Sequence, residues 1–141
     1  VVTNQPSVAK GFCNVETIES INRFMETILG NKGLKLDSIY FCPHHPERGF
    51  PGENKKYKID CDCRKPEIGL FERAKSSFNI DYSKSYIVGD RTSDIMAGKN
   101  AGISSILVRT GYGGRDEAYQ VNPDYTAENL KDAVSNIILN R

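Results

Sequence analysis

One short stretch, residues 86–94, constrains the fold of this chain more than any other. Its first four residues, Tyr-Ile-Val-Gly, form an apolar run without a polar interruption. Such a run is typical of a strand buried on both faces of a parallel sheet. The strand ends in Gly-Asp, so Asp90 stands at its carboxyl edge, where open α/β sheets bind ligands. Asp94 follows where a helix should begin. Two carboxylates this close favour a divalent cation such as Mg²⁺ between them, although both could instead cap the helix.

Composition places the chain among ordinary globular proteins. It has 141 residues, 38% of them hydrophobic and 26% charged, with a net charge of +1. These values predict one domain, residues 1–141, and argue against disorder. The small net charge gives no reason to expect nucleic acid as a partner, and no apolar run is long enough to cross a membrane. The oligomeric state stays open.

Strand and helix patterns alternate along the chain and predict an α/β architecture with a mostly parallel sheet and flanking helices. The expected strands are 1–5 (a strand end), 38–41, 86–89, 104–108 and 124–126. A first helix is predicted from a core-facing stripe of residues at helical spacing: Ile18, Ile21, Met25, Ile28 and Leu29. A second helix is expected to have Pro66 in its first turn, and Phe78 on its apolar face.

Two short motifs enclose an irregular segment and predict a zinc site. Cys42 and His44 are separated by one residue, and so are Cys61 and Cys63. Three thiolates and one imidazole suit tetrahedral zinc in a structural role, with no position left for water. His45 could replace His44. The segment between the motifs is rich in Gly, Pro and Lys, and is not expected to stay ordered through a core of its own.

The cysteine spacing also indicates the compartment. An even number of cysteines can form disulfides in a secreted protein. The one-residue spacings favour a metal instead, which predicts a reducing compartment, the cytosol.

Two further pairs of residues suit phosphate binding. Thr3 and Asn4 are expected at the same carboxyl edge of the sheet as Asp90, where their hydroxyl and amide can hydrogen-bond a phosphate oxygen. Arg64 and Lys65 precede the second predicted helix, whose N-terminus favours anions. Taken alone, a pair like the first is more often two turn residues, and a pair like the second is more often a solvated basic pair.

Together these motifs resemble the haloacid dehalogenase superfamily, whose phosphatases use an aspartate nucleophile and Mg²⁺. The match extends along the chain through 1–5, 42–46, 61–66, 88–90 and 108–111. In this combination it resembles the D-glycero-D-manno-heptose 1,7-bisphosphate phosphatase family, which is similar to the histidinol-phosphatase branch. The resemblance implies a Rossmann-like fold with a zinc-stabilised loop, and phosphorylated sugar as substrate.

The resemblance also implies a role for each matching residue of the phosphate site. Thr3 hydrogen-bonds the transferring phosphoryl group, and Asn4 and Gln5 contact the substrate. Lys65 stabilises the phosphoryl charge, and Arg64 helps to recognise the sugar bisphosphate.

The same resemblance assigns the two metal sites. Asp90 ligates Mg²⁺ and is, with Thr3 and Lys65, an expected catalytic residue. Asp94 supports that site or positions Lys65. Arg91 stands where the family commonly has a lysine that touches the substrate, and a guanidinium is not interchangeable with an ammonium. The residues that match the zinc ligands are Cys42, His44, Cys61 and Cys63.

The family's first motif, an Asp-x-Asp pair on the first strand, has no counterpart in this sequence. The carboxylates nearest to a strand, Asp37, Asp60 and Asp62, stand in other contexts. In the family the first Asp attacks phosphorus and the second works as acid and base, so this chain alone is expected to be inactive. The motif-bearing strand lies in the middle of the family's sheet. The chain is therefore expected to be a fragment that lacks its N-terminal strand.

Three functions remain open at this stage. The first is removal of the 7-phosphate from D-glycero-D-manno-heptose 1,7-bisphosphate through an aspartyl-phosphate. The second is hydrolysis of histidinol phosphate. The third is a non-catalytic, zinc-stabilised module that binds phosphorylated ligands.

Overall fold

The computed structural model describes residues 1–140 and divides into two compact units, Val1–Arg64 and Lys65–Arg141. Throughout the described residues, every strand pairing is parallel, and helices alternate with strands. The predicted α/β class with parallel strands is therefore confirmed. The strands form one sheet of two strands and one of three. The single domain stays a prediction.

The first unit contains two short strands connected by a long helix. Strand β1 (Val2–Asn4) pairs with β2 (Tyr40–Cys42), and helix α1 (Val15–Gly30) lies between them in the chain. Asn14 caps the helix, since its Oδ1 accepts a hydrogen bond from the main-chain N–H of Thr17 at 2.9 Å. The unit thus begins with a strand, helix and parallel strand, as the sequence pattern predicts.

The predicted apolar stripe of α1 is only partly buried. Ile18 is 3% exposed, but Ile21 is 57% and Ile28 is 43% exposed. The prediction that all side chains of the stripe face a core is therefore wrong for Ile21 and Ile28. Two three-residue strands offer too little surface to cover a helix of 16 residues.

The irregular segment after β2 has a small core that the sequence did not predict. The Phe50 ring contacts two ammonium groups, with Lys10 Nζ 4.4 Å and Lys58 Nζ 4.5 Å from its centroid. Lys58 is 5% exposed, and its Nζ also lies 3.4 Å from Glu53 Oε2 and donates to the Glu47 carbonyl. Cation–π contacts and a partly buried ion pair therefore order this segment.

The second unit contains a three-stranded parallel sheet in the order β3-β4-β5. Its elements are α2 (Gly69–Phe78), β3 (Tyr86–Gly89), α3 (Thr92–Ala101), β4 (Ser104–Val108), β5 (Tyr125–Ala127) and α4 (Leu130–Asp132), which continues as a π-helix over Ala133–Ile138. The predictions for β3 and β4 are confirmed, and β5 begins one residue later than predicted. The buried residues of this sheet's core are Ile106, Val108, Ala127 and Ala133.

Close packing positions α3 against β3. Gly98 faces Ile87 so closely that a β-carbon at this position would clash with that side chain, and it would also lie tightly against Ser105. The first turn of α3 is thereby held near the carboxyl end of β3. At the other end of the helix, Gly102 adopts φ 70°, a left-handed conformation that suits glycine, and ends the helix.

The prediction for the second helix is wrong at its start. The first helical hydrogen bonds of α2 go to the Ile68 carbonyl, and Pro66 lies outside the helix. The Pro66 carbonyl instead accepts a hydrogen bond from Asn100 Nδ2 at 3.1 Å, which removes it from the helical ladder. Phe78 is 48% exposed rather than buried on the apolar face.

None of the helices within residues 1–140 combines the length and the apolar composition that a membrane span requires.

Candidate active site and metal centre

Four side chains of the first unit form a compact cluster of metal-binding groups: Cys42, His44, Cys61 and Cys63. Their donor atoms all lie within 4.8 Å of one another. The sulfur of Cys63 lies 3.1 Å from that of Cys42 and 3.4 Å from that of Cys61. His44 Nδ1 lies 3.4 Å from Cys63 Sγ. Tetrahedral zinc, with Zn–S of about 2.3 Å, separates its donor atoms by roughly 3.5–3.8 Å, so the donor set and its spacing fit this ion.

The electrostatics of the cluster favour a bound cation. Burial raises the pKa of the Cys42 thiol far above its ordinary value, and the neighbouring thiol of Cys63 raises it further. Three thiols this close cannot all ionise unless a positive charge compensates them. The Arg64 guanidinium donates a hydrogen bond to the His44 carbonyl at 3.2 Å, which ties the residue after the last cysteine to the first half of the cluster.

The structure distinguishes the two adjacent histidines. His44 points its Nδ1 into the cluster, whereas His45 lies outside it. His45 is 7% exposed, packs edge-on against the Phe50 ring, and has its Nε2 3.7 Å from Glu47 Oε2. Its Nδ1 has no hydrogen-bond partner within residues 1–140. Of the two alternatives, the geometry therefore selects His44 as the member of the donor set.

At the carboxyl end of β3, the Asp90 carboxylate is held by the loop that follows β4. Asp90 Oδ2 accepts a hydrogen bond from the main-chain N–H of Tyr112 at 2.8 Å, and the Asp90 carbonyl accepts one from Gly114 N–H at 2.8 Å. Asp90 Oδ1 accepts no hydrogen bond from any residue that the structure describes. A half-buried carboxylate with one oxygen left over suits Mg²⁺, which prefers such ligands.

Lys65 and Asp94 form a buried ion pair in the second unit. Lys65 Nζ lies 2.7 Å from Asp94 Oδ1, and the two side chains are only 10% and 9% exposed. Asp94 Oδ2 accepts a hydrogen bond from the main-chain N–H of Arg91 at 3.1 Å, so it also caps α3. Asp94 thus caps α3 and contacts Lys65, whereas its role in positioning Lys65 for a substrate stays a prediction. Ligation of Mg²⁺ by Asp94 stays a prediction.

Arg91 is placed by an aromatic ring. Its Cζ lies 3.6 Å from the centroid of the Tyr112 ring, which is a close cation–π contact. Tyr112 belongs to the glycine-rich loop after β4, and sequence reasoning missed it. Its position in the sequence could have indicated it. Adjacent parallel strands end at the same edge of a sheet, so an aromatic residue shortly after β4 is expected near the end of β3.

The same loop is fixed to the start of α3 by a second set of contacts. Asp116 accepts two hydrogen bonds from Thr92, one from its main-chain N–H and one from its hydroxyl, both at 2.9 Å. Tyr119 N–H donates to the Thr92 hydroxyl oxygen at 3.2 Å. Sequence reasoning missed this anchor also, because nothing in the spacing of Thr92 and Asp116 relates them.

The remaining predicted substrate residues lie in the first unit, at the end of β1. Gln5 N–H donates to the Cys42 carbonyl at 2.8 Å, so the end of β1 is joined to the first zinc-ligand candidate. Gln5 Nε2 donates to Thr3 Oγ1 at 3.4 Å. The convergence of Thr3 with Lys65 and Asp90 on one phosphate stays a prediction, as do the substrate contacts of Asn4 and Gln5.

An Asp-x-Asp spacing does occur in the sequence, at Asp60 and Asp62. Both are exposed and flank Cys61 in a segment that forms no strand. They therefore do not supply the strand-borne carboxylate pair of the phosphatase motif.

Comparison with known proteins agrees with this geometry. Residues 62–133 match the family model described as HAD-hydrolase-like, which covers half of the chain. The chain belongs to the HAD-like hydrolases. The chain is also 33% identical to D-glycero-D-manno-heptose-1,7-bisphosphate 7-phosphatase of Chlorobaculum tepidum over an alignment of 146 residues. This alignment covers 99% of the chain and 71% of that relative. Within the HAD-like hydrolases it therefore belongs with the heptose-bisphosphate phosphatase family.

Two further relatives support this placement. The chain is 43% identical over 112 residues to D-glycero-beta-D-manno-heptose-1,7-bisphosphate 7-phosphatase of Vibrio cholerae. This match covers 79% of the chain but only 58% of the length of that relative. Among solved structures, it resembles D,D-heptose 1,7-bisphosphate phosphatase from B. bronchiseptica, complexed with magnesium and phosphate. The TM-score is 0.81 at 27% identity, covering 99% of this chain and 73% of that one.

Proposed function

We propose that this chain is the metal- and phosphate-binding part of an enzyme that removes the 7-phosphate from D-glycero-D-manno-heptose 1,7-bisphosphate. The observation that carries the proposal is the arrangement at the end of β3. Within residues 1–140 the Asp90 Oδ1 atom has no hydrogen-bond partner, and the buried Asp94 carboxylate in the first turn of α3 pairs with Lys65. Membership of the heptose-bisphosphate phosphatase family supplies the substrate class.

Each residue of this arrangement has a chemical task. Phosphoryl transfer depends on positioning and on stabilising the charge of the phosphoryl oxygens. Lys65 supplies a positive charge whose position Asp94 fixes, and Thr3 supplies a hydroxyl donor. Asp90 would hold Mg²⁺, and the ion would supply positive charge to stabilise the phosphoryl group. The 141 residues contain no strand-borne Asp-x-Asp pair to supply the nucleophile of the aspartyl-phosphate mechanism, so this chain binds the substrate without turning it over.

The cluster of the first unit binds zinc as a structural ion. Its four protein donors leave no open position at a tetrahedral ion, so zinc activates no water there. Bound zinc joins the end of β2 to the segment after the loop and adds to folding stability. Three thiols committed to a metal also favour a reducing compartment, the cytosol.

Phosphate release tests the proposal directly. The complete gene product is assayed with Mg²⁺ on heptose 1,7-bisphosphate and on histidinol phosphate, in parallel with Asp90→Asn and the 141-residue chain. We expect release of one phosphate from the bisphosphate, loss of activity in Asp90→Asn, and binding without release by the shorter chain. Preference for histidinol phosphate would overturn the substrate. Phosphate release from neither compound would favour a non-catalytic binding module, and unchanged turnover in Asp90→Asn would contradict the Mg²⁺ ligand.

A further inference from the structure

One residue contacts both groups that follow β3, although nothing in the motif pattern assigns it a role. Tyr112 uses its main-chain N–H to hold Asp90 Oδ2 at 2.8 Å and its ring to hold the Arg91 guanidinium at 3.6 Å. The loop passes close to the end of β3 at this point. Gly111 has φ 69°, and a β-carbon there would clash with the Asp90 carboxylate. The glycine therefore allows the main chain of Tyr112 to reach the end of β3.

The two cations of this region are in different electrostatic states. Lys65 is paired with Asp94, and both side chains are about nine-tenths buried. Arg91 is exposed, and within residues 1–140 no carboxylate lies at ion-pair distance from its guanidinium. A guanidinium stacked on an aromatic face keeps the N–H groups on its edge available for an anion. The ring thus orients this charge without neutralising it.

We propose that Tyr112 is a positioning residue that orients Arg91 toward an anionic group of the substrate other than the phosphoryl group that reacts. The inference rests on the proposed function, since it assigns Tyr112 a part in recognising a substrate that carries two phosphates. An unrestrained arginine side chain samples many rotamers. Fixing its conformation before the substrate binds reduces the conformational entropy that is lost on binding. Tyr112 therefore contributes to affinity for a bisphosphate and not to the chemical step.

Kinetics on two substrates separate this role from a general structural one. The complete gene product is compared with Tyr112→Leu and Tyr112→Phe, on heptose 1,7-bisphosphate and on p-nitrophenyl phosphate, which has no second anion. In Tyr112→Leu we expect KM for the bisphosphate to rise about 2- to 5-fold, the factor of an exposed cation–π contact, with kcat unchanged. KM for p-nitrophenyl phosphate stays unchanged. Tyr112→Phe keeps wild-type KM values, because the ring and the main-chain N–H both remain.

A spectroscopic readout makes the result independent of turnover. Protons above an aromatic face resonate upfield, so the side-chain protons of Arg91 should show this shift in the wild type and in Tyr112→Phe but not in Tyr112→Leu. Absence of the shift from the wild type would overturn the placement of Arg91. An equal rise of KM for both substrates in Tyr112→Leu would overturn the role in recognition. If the bisphosphate is not a substrate at all, the proposed function fails, and the role in bisphosphate recognition fails with it. The NMR shift then still decides whether the Tyr112 ring orients Arg91.

Discussion

The ion pairs of this protein differ in burial, and therefore in how much they contribute to stability. The Lys65–Asp94 pair is buried at 2.7 Å, whereas the Lys84–Asp81 pair is exposed at 3.5 Å. Removing one member of a buried pair leaves an uncompensated charge out of water, but an exposed charge is solvated whether or not it is paired. The first pair should therefore matter for stability and the second should not.

Replacing Asp94 tests this difference. Asp94→Ala is expected to lower the free energy of unfolding by about 3–5 kcal/mol, because Lys65 then lies buried without its carboxylate and α3 loses its cap. Urea denaturation followed by circular dichroism measures the change. Lys84→Ala is the matched control and should leave the midpoint of unfolding unchanged. Equal midpoints for Asp94→Ala and the wild type would contradict the buried pair.

The Asp124 carboxylate makes the stability of the protein depend on pH. Asp124 Oδ2 accepts hydrogen bonds from the hydroxyl of Ser105 at 2.7 Å and from its main-chain N–H at 2.8 Å, and these hold the pKa of Asp124 below its ordinary value, the hydroxyl first. The folded chain then binds this proton less readily than the unfolded chain. The stabilisation is present at neutral pH and is lost as pH falls below about 4.

Ser105→Ala removes the hydroxyl and should reduce the part of stability that disappears on acidification. Thermal unfolding measured between neutral pH and acid checks this, with Asp124→Asn as the variant that lacks the titrating group. If Ser105→Ala loses as much stability on acidification as the wild type, the hydroxyl does not set the pKa of Asp124.

At the scale of elements, the segment between β2 and α2 is held at two places. The cluster of three cysteines and His44 joins its ends, and the contacts of the Phe50 ring with Lys10 and Lys58 order its middle. With zinc bound as proposed, the first contact set depends on the metal, whereas the second set needs none. Loss of metal should therefore loosen the ends of the segment before its middle.

Metal removal is expected to show this dependence. The purified protein should contain one equivalent of zinc, and a chelator should lower its melting temperature and open the segment 43–60 to proteolysis. Cys63→Ser should reproduce both effects, while Cys13→Ser keeps the metal, since Cys13 lies outside the cluster. Elemental analysis and limited proteolysis provide the measurements. Full stability in the chelated protein would contradict a structural ion.

The elements also show what sequence can predict. The strands at 86–89 and 104–108 and the four metal-cluster residues were predictable, because short apolar runs and one-residue donor spacings each have few structural solutions. The start of α2 was not, since the Asn100 side chain, 34 positions away in the chain, binds the Pro66 carbonyl. The Phe50 core was missed because lysines usually indicate a solvated surface. Tyr112 was missed because its partner is defined only once β3 and β4 are adjacent.

At the scale of the whole molecule, each of the two compact units contains residues of the proposed phosphate site. The first contributes Thr3 at the end of β1 and the metal cluster after β2. The second contributes the Lys65–Asp94 pair and Asp90 after β3. A phosphatase requires these groups to act on one phosphoryl group, because positioning and charge stabilisation are the source of its rate enhancement.

The most direct measurement is a crystal structure of the complete gene product with inorganic phosphate and Mg²⁺. The account predicts one phosphate that contacts both Thr3 Oγ1 and Lys65 Nζ, with Mg²⁺ bound to Asp90 beside it. A phosphate bound away from Lys65, or Mg²⁺ held by residues that exclude Asp90, would contradict it.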